Sequence, residues 1–255
     1  MALDIYCGTL CRYYAGDWQS VVQQWAEANG IDYVVNRKRT EGTDVPDMTD
    51  EEAREAILKW KDGLRHFLAE EQQLTFDWCE DADAPYRSDR PDWSAYWLVL
   101  LWALYQEQGA EPFDELPAGF ELDKDPVFAA RNIKGYESQY PMLNSEVELF
   151  LPIPQPVQIN GADPFGQPVG IASSTVLWNE LKALNANTWQ ADDAEIASWR
   201  QTYNRVLPRL EGEQLVFDKA QSIDRFEEVA KYGFSILYDL TRFAVEHQLP
   251  LRLDW

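Results

Sequence analysis

Trp93-Ser94-Ala95-Tyr96-Trp97-Leu98-Val99-Leu100-Leu101-Trp102-Ala103-Leu104-Tyr105-Gln106-Glu107-Gln108 reads as a helix that is apolar nearly all round. A helix of that composition belongs inside a core. Its apolar run, Trp93 to Tyr105, is broken only by Ser94 and falls short of the ~20 residues that cross a bilayer, so it implies a buried helix rather than a membrane span. Pro91 fits the first turn of this helix. Upstream, Thr49-Asp50-Glu51-Glu52 forms a capping box. The helix it opens carries Ala53, Ile57, Trp60, Leu64 and Phe67 at steps of three and four, an amphipathic stripe suited to covering such a core.

Strand signals flank these helices. Leu3, Ile5, Cys7, Thr9 and Cys11 alternate with Asp4, Tyr6, Gly8, Leu10 and Arg12, which predicts a first strand. Gly16-Asp17 opens a helix that Asn29-Gly30 stops. Ile31 to Arg37 reads as a second strand and Gln73 to Trp78 as a short one. Glu80 to Asp92 reads as loop, and Gly109 to Asp125 as irregular. The prolines in Val147 to Gln158 place that stretch at a sheet edge or in an extended segment. Asn160-Gly161 and Asp163-Pro164-Phe165-Gly166 supply hairpin turn chemistry. The last third is helical: Ser173 or Ser174 caps one helix, Asp192 with Glu195 a second, and Ser222 a long one carrying Ile223, Phe226, Ala230, Gly233, Leu237, Leu240, Ala244 and His247. Leu215 to Phe217 is a short strand between them. The expected class is α+β, dominated by helices, with a small sheet that includes the N-terminal strand and a proline-rich edge strand with its hairpin. One domain over residues 1–255 is expected, with a sub-boundary near 145–170.

Charge separates the partner classes. The 44 Asp and Glu outnumber the 22 Lys and Arg, leaving −22. Nucleic-acid binding depends on Lys and Arg displacing counterions, so direct contact is disfavoured. An anionic membrane surface is disfavoured for the same electrostatic reason. A basic protein partner is favoured, because the field steers its approach. Acidic charge also keeps a cytosolic protein soluble, which is the plainer reading. The three cysteines, Cys7, Cys11 and Cys79, do not form a disulfide framework. Met1 to Tyr6 lacks a basic region followed by an apolar one and does not read as a secretory signal. A cytoplasmic protein is expected.

The chemistry-bearing patterns are sparse. On a strand, Cys7 and Cys11 would lie ~13 Å apart, too far to share one zinc. His66 and His247 sit far apart in sequence, so no metal and no cofactor is expected. Adjacent acids such as Asp192-Asp193 point about 100° apart on a helix and share no site. Three acidic clusters remain. The first holds Glu41, Asp44, Asp47, Asp50, Glu51 and Glu52, the second Asp77, Glu80, Asp81 and Asp83, and the third runs from Glu107 to Asp125. If they share a face, they form a docking surface for a basic protein. A second candidate is a small-molecule pocket at the first strand-to-helix turn, with Arg12 holding an anionic group, Tyr13 lining it and Asp17 acting as base. Packing of Tyr13, Tyr14 and Trp18 between strand and helix explains the same residues.

The opening Met1-Ala2-Leu3-Asp4-Ile5-Tyr6-Cys7-Gly8-Thr9-Leu10-Cys11-Arg12-Tyr13-Tyr14 resembles that of a group of uncharacterised bacterial proteins, which implies no activity. Size and acidity are similar to those of immunity proteins that neutralise bacterial toxins. That likeness implies an inhibitor masking a basic toxin domain.

Overall fold

A computed structural model of the chain describes residues 3–33, 49–91, 93–117, 119–202, 209–211, 214–216 and 225–254. In chain order the elements are β1 (Asp4–Cys7), α1 (Leu10–Ala15), α2 (Val21–Ala28), α3 (Asp50–Gln72), β2 (Arg87–Asp89), α4 (Trp93–Gln108), a 3₁₀ turn (Leu122–Lys124), α5 (Pro126–Ala130), β3 (Leu149–Leu151), β4 (Gln158–Ala162), β5 (Pro168–Ser173), α6 (Ser174–Asn187), α7 (Asp193–Thr202), β6 (Arg209–Glu211), β7 (Gln214–Val216), α8 (Phe226–His247) and β8 (Leu251–Asp254). The fold is α+β. A six-stranded sheet runs β2-β1-β8-β3-β5-β4, with β3 and β5 parallel and the other pairs antiparallel. The strands between residues 145 and 170 thus join the same sheet as β1 and β8. Among the described residues no helix is long and apolar enough to cross a membrane.

The period of two splits the sheet into faces. Ile5, Phe150, Ala172, Leu251 and Leu253 point into a large core with α4, α6 and α8. Leu149, Leu151 and Ile171 point the other way, into a second cluster with Leu10, Ile57, Leu68 and Trp78. α4 lies at the centre of the first core, with Ala95 and Val99 through Leu101 fully buried. It packs on α8 at Gly233, where a Cβ would run into the Ala95 carbonyl and Val99. Only glycine lets the two backbones approach this closely.

Several expected boundaries move. The first strand ends at Cys7, because the Thr9 hydroxyl accepts the Arg12 N–H and caps α1. Leu10, Cys11 and Arg12 are therefore helical, and the strand-based separation of Cys7 from Cys11 falls away. Gly16 does not open a helix: at φ 77° it is the left-handed cap that ends α1, and α2 starts only at Val21, with Ser20 and Gln23 forming its capping box. Val147 to Gln158 divides in two. Its first part, β3, lies inside the sheet because the prolines begin only at Pro152, and its last residue opens the edge strand β4. Asn160 and Gly161 belong to β4, and the turn of the β4–β5 hairpin falls at Asp163 to Gln167. Gln73 to Trp78 forms no strand, while Arg87 to Asp89, within the expected loop, does. The α3 stripe ends on the fully buried Leu68 and leaves Phe67 exposed. Val34 to Arg37, Ser222 and Ile223 lie outside the described residues.

Candidate functional site

After α3 the chain reverses at Gln73, which is left-handed (φ 56°), and residues 73–84 run back along the helix. Leu74, Phe76 and Trp78 turn inward while Thr75 and Asp77 face out. This is the burial alternation of a strand without a ladder. Side chains of α3 take the backbone carbonyls instead. Arg65 Nε donates to the Phe76 carbonyl at 3.0 Å and Lys61 Nζ to the Trp78 carbonyl. Lys61 also meets Asp77 at 2.8 Å and lies 5.1 Å from the centre of the Trp78 ring. Burial alone would raise the Asp77 carboxyl, but Lys61 and the Trp78 N–H hold it below the usual carboxylate range.

The next residues are pinned from α1. Glu80 is buried, and its carboxylate accepts the Leu10 and Cys11 N–H groups at 3.1 and 2.9 Å and the Trp78 indole N–H at 2.7 Å. A charge this deep is tolerable only when fully hydrogen-bonded. Burial, with Glu80 nearby, pushes the Cys11 thiol up to about 12, so it stays protonated and unreactive at neutral pH. Arg12 donates to the Ala82 and Ala84 carbonyls at 2.7 and 2.5 Å and stacks over Tyr86. The Cys79 N–H reaches the Gln248 carbonyl at 2.8 Å. The loop bearing Asp81 and Asp83 is thus fastened on three sides, and both side chains are exposed.

Between α3, residues 77–81 and the end of α8 lies a cavity of about 510 Å³. Its lining includes Arg54, Lys61, Asp77, Glu80, Asp81 and His247, with the Cys79 thiol beside them. The acidic members come from the second sequence cluster. Arg54, Lys61 and His247 were not expected from sequence, although Arg54, Leu58, Lys61 and Arg65 recur at helical steps of four and three. That basic stripe on one helix was the available signal.

Arg12, Tyr13 and Asp17 do not gather into one pocket. Arg12 is engaged with the loop carbonyls. The Tyr13 hydroxyl donates to Asp254 at 2.7 Å, and its ring lies under Arg252, whose guanidinium is 4.8 Å from the ring centre. Burial, reinforced by Asp254, raises the Tyr13 hydroxyl well above the ordinary tyrosine range. Asp17 is exposed beyond the end of α1. Tyr6, Tyr13 and Trp18 pack ring on ring between β1 and α1.

Of the first acidic cluster, Asp50 and Glu51 are exposed in the first turn of α3, one turn before Arg54. Glu41, Asp44 and Asp47 lie outside the described residues. The third cluster divides. Asp125 is buried and caps α5, and Glu107 accepts three hydrogen bonds from residues 136–139. Glu111, Asp114 and Glu115 are exposed, and the Glu115–Arg225 bridge sets them beside Glu227 and Glu228 in the first turn of α8. Comparison of the chain with protein families, curated proteins and solved structures found no match.

Proposed function

We propose that this protein is an acidic binding protein for a basic protein partner, an inhibitor of the toxin-immunity type. The observation that carries the reading is the display of Asp81 and Asp83 on a loop fixed by Arg12 and by the Cys79–Gln248 bond, in a chain of net charge −22. A pre-ordered carboxylate loses little freedom on binding, and an overall negative field speeds the encounter. Asp50 and Glu51, one helical turn before the cavity-lining Arg54, are further exposed acids that a basic partner could meet. Glu80 and Asp77 act differently from that surface: the first holds α1 and the second is neutralised by Lys61 and Arg65.

The test is affinity capture on the full chain from the native cell extract, at ~50 mM and ~500 mM salt, a range over which screening of exposed charge grows steeply. The expected result is a basic protein retained at low salt and released at high salt, with retention weakened by Asp81→Asn with Asp83→Asn. Absence of a basic protein at low salt, or retention indifferent to salt, contradicts the reading.

A further inference from the structure

We infer that the cavity beside α3 binds an amino acid in its zwitterionic form, with cationic side chains preferred. The inference shares Asp81 with the protein-partner reading but adds Arg54, and titration with free amino acids tests it apart from protein capture.

Most of the charge lining the cavity is already committed. Lys61 is held by Asp77 and the Trp78 carbonyl, and Glu80 accepts its three N–H groups. Two groups differ. Among the described residues, neither the Arg54 guanidinium nor the Asp81 carboxylate has a hydrogen-bond or ion-pair partner, and both line the cavity. They come from separate elements, α3 and the 77–81 segment, and both are exposed, so the cavity offers one cation and one anion that no described protein group holds. A guanidinium grips a carboxylate in a two-pronged hydrogen-bonded pair, and a carboxylate takes the three donors of an ammonium group. A ligand with both groups a few ångströms apart, such as an α-amino acid, satisfies both without leaving either charge unpaired.

The size agrees: about 510 Å³ lies within the ~300–1,000 Å³ of small-molecule sites. The lining has three carboxylates, Asp77, Glu80 and Asp81, against two permanent cations, Arg54 and Lys61, inside the field of a −22 chain. This bias ranks ligands: arginine or lysine first, a neutral amino acid next, glutamate last.

Calorimetric titration of the full chain with L-arginine, L-norvaline and L-glutamate tests it. L-arginine should bind saturably at one site, and L-glutamate at least ~10-fold more weakly. N-acetyl-L-arginine, which lacks the ammonium, and L-arginine methyl ester, which lacks the carboxylate, should each lose ~10-fold or more, the scale of one charge-assisted hydrogen bond. Arg54→Gln and Asp81→Asn should each weaken L-arginine by a similar factor with the thermal midpoint unchanged, since both side chains are exposed. Three outcomes would overturn the assignment: no saturable binding of any of the three amino acids, glutamate binding as tightly as arginine, or arginine binding that neither variant weakens.

Discussion

Residues 73–84 and 136–143 pose the same problem and solve it with opposite charge. Both are irregular segments whose backbone groups cannot all pair in a ladder, and buried backbone groups need partners. In the first, α3 and α1 supply cations to carbonyls: Arg65 to Phe76, Lys61 to Trp78, and Arg12 to Ala82 and Ala84. In the second, α4 and α6 supply carboxylates to N–H groups: Glu107 to Gln139, and Glu180 to Met142 and Leu143 at 3.0 and 2.8 Å. In the segment held by cations, Asp81 and Asp83 face solvent, while Asp77 pairs with Lys61 and Glu80 is buried against α1. A segment held by carboxylates uses acids up inside the protein. The charge total therefore conflates two kinds of acid: Glu80, Asp125, Asp163 and Glu180 are buried and organise backbone, and only the exposed ones can meet a partner.

The largest effect should come from breaking the carboxylate-held segment. Glu180→Ala strands the Met142 and Leu143 N–H groups in the interior, which costs roughly 2–6 kcal/mol at about 1–3 per unmet group. Urea unfolding measures it, and Glu180→Gln, which keeps an acceptor, should lose clearly less.

Next comes pH. Burial raises the Glu180 carboxyl to about 7, with repulsion from Glu107 adding to it and the two N–H bonds opposing it. The folded protein holds this proton more tightly than the unfolded chain, whose Glu titrates near ~4.3. The group's stabilising contribution is therefore complete below about pH 4.3 and is lost as pH rises through about 7. Asp77 has the opposite sign. Its folded carboxyl is lowered, so its contribution is present above the unfolded value of ~3.9 and lost as pH falls through the folded one. Between pH 5 and 8, wild-type stability should fall through the Glu180 contribution, and Glu180→Gln should flatten that slope. Amide exchange, corrected for its intrinsic pH dependence, should show Leu143 loosening toward high pH while Cys79 does not.

Cutting a cation from the other segment should matter less. Lys61→Met removes the donor to the Trp78 carbonyl and the partner of Asp77, and should cost about 1–2 kcal/mol in urea unfolding, since water can reach this partly open site. The backbone of 77–81 should exchange faster in that variant, with 136–143 unaffected.

What the sequence disclosed follows the range of each signal. The α3 capping box and the α4 run are local patterns, and both appear where they were read, because hydrogen bonds three residues apart and all-round apolarity need no distant partner. The alternation at Gln73 to Trp78 was real as burial but not as a strand, since its partners are side chains on α3. Thr9 broke the first strand because one hydroxyl cap outweighs a continuing alternation. At the site, density of acids drew attention to Asp77, Glu80 and Asp81, yet charge alone does not separate a buried Glu80 from an exposed Asp81. Burial depends on Leu10, Cys11 and Trp78 converging on one carboxylate, a tertiary fact. Arg54 and His247 line one cavity from α3 and α8, and only Arg54 had a sequence signal, the basic stripe on α3.

The smallest effect on the fold carries the most weight for function. Asp81→Asn with Asp83→Asn removes two exposed charges and should change stability by less than ~0.5 kcal/mol. The decisive measurement is the rate at which this variant and the wild-type chain associate with the captured basic partner, at ~50 mM and ~500 mM salt. The account predicts several-fold slower association of the variant at low salt and convergence of the two rates at high salt. Equal rates at low salt would contradict it.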